Sequence, residues 1–265
     1  STSPASSSST SSPAPAMTTC KLMGRVHSLE SFGLVDGPGV RYVIFLQGCA
    51  LKCQFCHNPD TWSGEAAQTM TAQELLDKAL RYQRYWGRDG KRGGITVSGG
   101  EPMLQMAFVT ELFELAHQKG VHTVLDTAGQ PYREDAEYQK EFDRLMAATD
   151  LVLLDLKAMD EQLHRRVTGM GNANILAMAR RLSDMGKPMW IRHVLVPGLT
   201  DGEDDLREMA AFIGTLKNVE RVEILPYHTL GLSKWQKLGM DYPLEGVPTP
   251  SGEQIARAEE ILGIR

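Results

Sequence analysis

Short apolar runs rich in β-branched and aromatic residues recur along the chain, and stretches with helical spacing lie between them. Runs of this length and composition are typical of buried β-strands. The predicted strands cover residues 42–46, 95–97, 122–125, 151–156, 189–196 and 222–225. Because strands and helices alternate, the pattern predicts a parallel sheet whose strands are joined by right-handed helical crossovers.

The predicted helices carry start and stop signals. Thr71 and Glu74 form a capping box in front of an apolar helical stretch. Pro102 suits the first turn of the following helix, and Lys119 with Gly120 marks its end. Further helices are predicted over residues 135–147, 174–185, 204–216 and 253–262.

The number of strand–helix units selects the architecture. A complete barrel of eight units occupies roughly 250 residues, whereas residues 40–227 have room for six. The prediction is an α/β fold, a partial (β/α)6 TIM-like barrel in which outer helices cover a parallel sheet. A doubly wound Rossmann sheet is the alternative, but no G-x-G-x-x-G motif follows the first predicted strand.

Composition divides the chain into a tail and one domain. Residues 1–19 consist almost entirely of Ser, Thr, Pro and Ala, so they lack the apolar surface that would offset the entropy of ordering. We expect a disordered tail: an added segment, a natural extension or part of a transit peptide. Residues 20–265 are expected to form one catalytic domain. The expected location is the cytoplasm, or an organelle if the tail comes from a transit peptide.

Charge and hydropathy exclude two classes of partner. The net charge is -5, whereas nucleic-acid binding depends on concentrated Lys and Arg. No apolar run approaches the roughly 18 to 20 residues that span a bilayer. We therefore expect neither a nucleic acid nor a membrane as partner, and we expect a monomer.

Three of the four cysteines lie within eight residues, Cys49, Cys53 and Cys56, with the spacing C-x3-C-x2-C. Three thiolates on one loop can hold three irons of a [4Fe-4S] cubane and leave the fourth iron open to a substrate. A zinc site with His57 as fourth ligand is the alternative, but adjacent Cys56 and His57 have poor geometry for chelating one ion. Cys20 stands alone and is expected not to be a ligand.

Polar residues follow the predicted strands one after another. They include Ser98 and Glu101, on either side of Gly99 and Gly100, after the second strand, Asp126 and Thr127 after the third, Asp155 and Lys157 around the end of the fourth, Arg192 and His193 within the fifth, and Tyr227 and His228 after the sixth. Because the carboxyl ends of parallel strands face one way, these groups are expected to share a cavity with the cysteine loop. The alternative for Asp126, Asp155 and Lys157 is a buried ion pair that closes the barrel top.

Several segments together carry a resemblance to a known family. They are Asp36-Gly37-Pro38-Gly39 ahead of Arg41, Gln47 to Asn58 with the three cysteines, Ser98-Gly99-Gly100-Glu101, Leu154-Asp155-Leu156-Lys157 and Leu225-Pro226-Tyr227-His228. In this order they resemble the radical S-adenosylmethionine (SAM) activating enzymes of glycyl-radical enzymes. The resemblance spans about residues 24–248.

The resemblance implies the cofactors and their ligands. Cys49, Cys53 and Cys56 would ligate a [4Fe-4S] cluster, whose open iron would chelate SAM. The implied SAM contacts are Phe55, Cys56, His57, Gly100, Asp155, Leu156, Lys157 and His228. By the same resemblance, Asp126, Thr127 and Asp155 would hold a monovalent cation beside SAM.

The resemblance also implies the reaction and the partners. A flavodoxin-like donor would supply one electron, SAM would be cleaved, and the 5′-deoxyadenosyl radical would take a hydrogen atom from a glycine of a partner protein. The short segment between Asn58 and Thr71 has no room for the inserted cluster-binding segment of many such enzymes. By the same resemblance, the activating enzymes of anaerobic ribonucleotide reductase lack much of the later barrel that this chain retains through His228. The resemblance therefore implies pyruvate formate-lyase as partner, and Asp36 is the candidate contact with its glycine loop.

Three other interpretations of the function stay open at this point. The chain is an activating enzyme for another glycyl-radical enzyme, a radical SAM enzyme for a small molecule or nucleic acid, or an electron-transfer module. The last of these leaves Glu101, Asp155 and His228 without a purpose.

Overall fold

The computed structural model describes residues 21–66, 68–87 and 93–264. The predicted tail, residues 1–19, and Cys20 lie outside the described residues. The strands are β1 (Met23–Gly33), β2 (Arg41–Leu46), β3 (Gln68–Thr71), β4 (Gly94–Gly99), β5 (His122–Thr127), β6 (Leu151–Asp155), β7 (Met189–Leu195) and β8 (Val219–Pro226). They form one sheet in the order β3-β1-β2-β4-β5-β6-β7-β8.

The six predicted strands are confirmed as β2 and β4 to β8, which pair in parallel from one neighbour to the next. Within the described ranges the outer strands β3 and β8 do not pair with each other, so the barrel stays open. This confirms the predicted partial barrel.

Strands β1 and β3 extend the sheet beyond the prediction and run antiparallel to their neighbours. Register shifts interrupt β1 between Val26 and Ser28 and again between Glu30 and Gly33. Each irregularity breaks the alternation of inward and outward side chains, which is the signal for a strand in a sequence. β3 has four residues and no apolar run, so it carries even less signal.

The helices are α1 (Ala72–Leu80), α2 (Met106–Gln118), α3 (Ala136–Ala147), α4 (Glu161–Thr168), α5 (Ala173–Asp184), α6 (Glu203–Gly214), α7 (Leu232–Lys237) and α8 (Gly252–Leu262), with 3-10 turns at Pro59–Thr61, Gln83–Tyr85 and Pro102–Gln105. The capping box of Thr71 and Glu74 is present at the start of α1. Pro102 opens the last of the 3-10 turns, so the predicted helix begins only at Met106. None of the helices within the described ranges is both long and apolar enough to cross a membrane.

The main hydrophobic core lies between the sheet and the helices that cover its outer face. Phe108 and Phe113 of α2 and Phe142 of α3 are almost fully buried there, together with Leu154 and Ile191 from the sheet. Burial of one such side chain contributes about 1.5 to 3 kcal/mol. This core fixes the strands, and therefore also the positions of the groups that follow their carboxyl ends.

The loop between β1 and β2 packs into the barrel interior. Arg41, fully buried, donates hydrogen bonds to the Thr96 hydroxyl at 3.0 Å and to the Pro38 carbonyl at 3.3 Å. The Thr96 hydroxyl in turn donates to the carbonyl of Asp36 at 2.7 Å. Gly37 adopts a φ of +124°, and a Cβ there would lie 3.3 Å from Val124. These contacts hold Asp36 inside the barrel.

Candidate functional site

A cavity of ≈ 450 Å³ opens at the carboxyl ends of the parallel strands. Its lining includes Asp36, Cys49, Cys53, Phe55, Cys56, His57, Trp62, Ser98, Gly100, Asp126, Thr127, Asp155, Lys157, Arg192 and His228. The predicted convergence of strand-end residues is therefore present in the structure.

The cysteine loop follows β2 and has an inner and an outer side. Leu51, Cys53 and Phe55 are buried and line the cavity, whereas Lys52 between them is exposed. The outer side is backed by the end of α4, since the amides of Lys52 and Gln54 donate to the carbonyls of residues 168 and 167 at 2.7 and 2.9 Å. These backbone contacts fix which side chains of the loop face inward.

The three thiols are free, and Cys53 is buried while Cys49 and Cys56 are half-buried. Burial raises the pKa of Cys49 to about 12 and that of Cys53 to about 11, and it also raises the pKa of Cys56. Coordination to a metal removes the proton from such a thiol. The Trp62 side chain hydrogen-bonds Cys56 and favours its thiolate.

The donor set fits a [4Fe-4S] cluster better than a single ion. Among the described residues, no three His, Cys, Asp or Glu side chains gather closely enough to hold one metal ion. A cubane binds each thiolate at a different iron, so its ligands need not share one coordination sphere. Cys49, Cys53 and Cys56 on one cavity wall would hold three irons of such a cluster.

Lys157 brings a positive charge to this wall. Its ammonium lies 3.1 Å from the Asp155 carboxylate and 5.3 Å from the centre of the Phe55 ring. Burial alone would lower the pKa of Lys157, but Asp155, followed by Cys53 and Cys49 when they are thiolates, outweighs burial and raises it. Lys157 therefore stays protonated and offers its charge to the cavity.

A second cation, Arg192, lies among the acidic groups of the barrel interior. Its guanidinium is 3.6 Å from Asp126 and 3.8 Å from Glu223, and Asp126 also accepts a hydrogen bond from Ser98 at 2.7 Å. Burial raises the pKa of Asp126 to about 6, and Arg192 opposes that rise. Burial likewise raises the pKa of Asp36, which faces the same cation.

Glu101 joins three neighbouring segments beneath the cavity. Its carboxylate accepts hydrogen bonds from the Thr127 hydroxyl at 2.6 Å and from the amides of Met103 and Ala128 at 3.0 Å each. Its own amide donates to the carbonyl of Gly48 at 2.8 Å. Glu101 thus ties the turn after β4 to the turn after β5 and to the start of the cysteine loop.

The imidazoles of His57 and His228 stack at the rim, with ring centroids 4.1 Å apart. Burial lowers the pKa of His57, and the nearby His228 lowers it further. Beside them, the Trp235 indole of α7 donates to the Cys56 carbonyl at 2.8 Å. The stack and α7 close the cavity on the side of β8.

Most predicted site residues meet here, and two of them differ from expectation. The Leu156 side chain packs in the core under the helices and does not line the cavity. Thr127 lines it, but its hydroxyl is engaged by Glu101 and Gly129. Asp126 and Asp155 share the cavity as expected. The cation proposed for them stays a prediction.

Sequence reasoning placed Ser98, Glu101 and Arg192 among the groups at the strand ends but gave none of them a role of its own, and it missed Trp62. Arg192 carried the best signal, because a charged residue inside a buried apolar strand has to face a partner. Trp62 and Glu101 act through contacts between loops, which no local pattern reveals.

Comparison with known proteins places the chain among characterised families. Residues 43–213 match the model of the radical SAM superfamily. The pyruvate formate-lyase-activating enzyme of Streptococcus mutans is 53% identical over 244 residues, covering 91% of this chain and 92% of that protein. The protein of the same name from Listeria monocytogenes is 48% identical over 242 residues, covering 91% and 97%.

Solved structures give the same picture at the level of the fold. A domain of a pyruvate-formate lyase-activating enzyme from Bacteroides vulgatus superposes with a TM-score of 0.53 at 28% identity, over 64% of this chain and 93% of that one. SuiB of Streptococcus suis bound to S-adenosylmethionine superposes with a TM-score of 0.62 at 17% identity, over 86% and 47%. The second similarity concerns the fold alone.

Proposed function

The chain belongs to the radical SAM superfamily and, within it, to the pyruvate formate-lyase-activating enzymes, and from this membership we propose its reaction. It cleaves SAM reductively and generates the glycyl radical of pyruvate formate-lyase. The observation that carries the proposal is the set of three free thiols, Cys49, Cys53 and Cys56, on one wall of a cavity that also holds Lys157 and Asp126.

The chain's own residues prepare the site for the cofactors. Cys49, Cys53 and Cys56 would hold the [4Fe-4S] cluster, which when bound supplies the electron for SAM cleavage and so gives access to a 5′-deoxyadenosyl radical. Burial of Cys53 and Lys157 helps to exclude water from the place where a radical must survive.

We infer that SAM lies between the cysteine loop and the strand ends. Lys157, with Asp155, suits the polar end of the ligand, because a charge-assisted hydrogen bond from a buried ammonium orients a carboxylate. Gly100 brings backbone close to the ligand, and the stacked His57 and His228 suit the flat adenine. The backbone of Leu156 and the ring of Phe55 complete this assignment.

The substrate glycine would reach the cavity from the open side of the barrel. A second cavity of ≈ 600 Å³ on that side is lined by Leu34, Val35 and β8, and Val35 lines both cavities. Leu34 and Val35 are more than 70% exposed, which suits contact with a peptide. Asp36, next in the chain, is the proposed contact for the backbone of the glycine loop.

The remaining assignments belong to the same proposal. The electron donor is a flavodoxin-like protein, the enzyme is a monomer in the cytoplasm, and Asp126, Thr127 and Asp155 hold a monovalent cation. An organelle remains the alternative location if the N-terminal tail derives from a transit peptide.

The proposal is tested by mixing the reconstituted enzyme, a reductant, SAM and pyruvate formate-lyase without oxygen and recording electron paramagnetic resonance. A glycyl radical on pyruvate formate-lyase is expected. Replacement of Cys49, Cys53 or Cys56 by Ala should abolish both the cluster and the radical, whereas Cys20→Ser should leave both unchanged. A radical formed only on a different glycyl-radical enzyme would contradict the partner. Catalytic turnover of a small molecule would favour the alternative reading.

A further inference from the structure

The outer side of the cysteine loop carries positive charge, although the chain as a whole has a net charge of -5. Lys52, Arg25 and Arg166 surround the loop. Within the described ranges no carboxylate lies within ion-pair distance of any of the three. Uncompensated cations gathered on one face of an acidic protein mark a place where an acidic surface is attracted.

Each of the three basic residues contacts the loop, Arg25 and Lys52 through their side chains and Arg166 through its backbone. The Lys52 ammonium lies 3.2 Å from the Cys49 carbonyl and 4.6 Å from the centre of the Trp62 ring. The Arg25 guanidinium lies 3.8 Å from the place a Cβ would occupy on Gly48 and 3.3 Å from the Gly64 carbonyl. The Arg166 carbonyl accepts a hydrogen bond from the Gln54 side chain at 2.6 Å, and the Arg166 side chain is exposed at the end of α4.

The loop's own carboxylate does not cancel this charge. In residues 47–64 the acidic side chain is Asp60. It lies 2.7 Å from His27 and 3.4 Å from Lys234. Asp60 is therefore already engaged by two basic groups, and the face around Lys52 keeps its positive potential.

Lys52 lies on the side of the loop that faces away from the cavity, so this face and the cavity are separate surfaces. Cys53 and Phe55 point into the cavity, whereas Lys52 is exposed on the opposite side of the same short stretch. A protein docked on Lys52 would lie next to the thiols without blocking the cavity or the open side of the barrel. SAM and the substrate glycine could then stay in place during docking.

We propose that the face formed by Arg25, Lys52 and Arg166 is the docking surface for an acidic one-electron donor protein. The inference rests on the function proposed above and adds the place of electron delivery. The docked donor loses one electron, and the cluster held by the three cysteines gains it. No bond forms and no proton is required in this step.

The test reverses two charges and compares two reductants. The variant Lys52→Glu/Arg166→Glu is matched by Lys119→Glu/Lys140→Glu, which changes two exposed lysines, one directly after α2 and one on α3, by the same total charge. The probe is a flavodoxin of measured negative net charge. Its affinity for each reconstituted protein is measured by titration calorimetry at low and high salt, and cluster reduction is followed by electron paramagnetic resonance.

At low salt the Lys52/Arg166 variant should bind flavodoxin about tenfold more weakly and be reduced correspondingly more slowly, with little remaining salt dependence. The Lys119/Lys140 variant should match the wild type. Dithionite should reduce all three proteins equally, which shows that the site itself is intact. A failure of dithionite-driven radical formation in the wild type would instead count against the proposed function.

Two outcomes would overturn the docking surface. In one, flavodoxin binds and reduces the Lys52/Arg166 variant as well as the wild type, or fails to reduce the wild type. In the other, the variant loses radical formation on pyruvate formate-lyase even with dithionite, which would make this face the contact for the substrate protein.

Discussion

His57 and His228 stack with their ring centroids 4.1 Å apart and their planes inclined by 24°. One ring follows the last cysteine of the loop after β2, and the other follows β8, the last strand of the barrel. The pair therefore links the first and last parallel strands across the rim of the cavity. It forms a flat wall in the place where we propose that adenine lies.

Removal of one ring should weaken SAM binding. His228→Ala removes the stacking partner of His57, and an aromatic contact of this kind is worth about 0.5 to 1.5 kcal/mol. The dissociation constant of SAM should rise roughly two- to twelvefold in titration calorimetry of the reconstituted enzyme. His228→Phe keeps a flat ring and should bind nearly as the wild type does. Equal losses in both variants would show that a polar contact of His228 is responsible.

Gly100 keeps the turn after β4 close to the cysteine loop. A Cβ on Gly100 would lie 2.2 Å from the Gly48 carbonyl oxygen and 3.0 Å from the Cβ of Cys49. Gly100→Ala should therefore push the loop outward and lower both the iron content and SAM affinity. The matched control is Gly214→Ala at the end of α6, where a Cβ meets no atom within 4 Å. Full iron content in Gly100→Ala would contradict this role.

Strands β2 and β4 to β7 were predictable because most of their residues are buried and they read as continuous apolar runs. Strand β1 was not, since two register irregularities erase its alternation. Helix α4 was missed for a related reason. It is short, and few of its positions are apolar, so its sequence carries little helical periodicity. Its burial depends instead on packing against the cysteine loop.

The candidate site likewise combines residues that the sequence predicts with contacts that it does not predict. Cys49, Asp126 and Lys157 were predictable because a parallel barrel brings all its strand ends together. The contacts of Arg192 with Asp126 and Glu223 depend on how β5, β7 and β8 are aligned, and sequence spacing does not give that register. The hydrogen bond from the Thr127 hydroxyl to Glu101 likewise exists only once the two turns are neighbours.

Lys157 should act on SAM rather than on the cluster. Lys157→Met keeps the length of the buried side chain and removes its charge, so one charge-assisted hydrogen bond to SAM is lost. Such a bond is worth about 1.5 to 3 kcal/mol, which corresponds to a roughly ten- to hundredfold rise in the SAM dissociation constant. Iron content should stay at the wild-type level, as it should in the control Lys119→Met. An unchanged SAM dissociation constant would show that Lys157 only pairs with Asp155 and does not bind SAM.

Arg192 should stabilise the barrel by neutralising the carboxylates around it. Arg192→Met leaves Asp126 without its buried cation, whereas Glu223 keeps its ion pair with Arg221 at 2.8 Å. Loss of one partner of a buried pair costs about 3 to 5 kcal/mol. Addition of Asp126→Asn removes the unpaired charge and should recover part of this loss. Urea unfolding under anaerobic conditions gives the coupling energy of the double-mutant cycle. Additive losses would show that Arg192 and Asp126 do not interact.

Stability should depend on pH through His164, a buried side chain of α4 that supports the segment behind the cysteine loop. Its Nδ1 lies 2.6 Å from the Met170 carbonyl and donates to it, while Nε2 is buried and has no hydrogen-bond partner among the described residues. A second proton would occupy that unpartnered nitrogen. Burial therefore lowers the pKa of His164 from its ordinary value near 6.5.

Protonation of His164 destabilises the protein, because the unfolded chain binds this proton more tightly than the folded chain does. Below pH ~6.5 the unfolded chain takes up a proton at His164 that the folded chain still excludes, so the free energy of unfolding falls as the pH is lowered. The slope due to this residue is at most about 1.4 kcal/mol per pH unit, and it ends at the lowered pKa of the folded state. His164→Gln lacks the titration, so its unfolding free energy, measured by urea from pH 7.5 to 5, should fall less steeply than that of the wild type. Parallel curves for the two proteins would mean that His164 is protonated equally in both states.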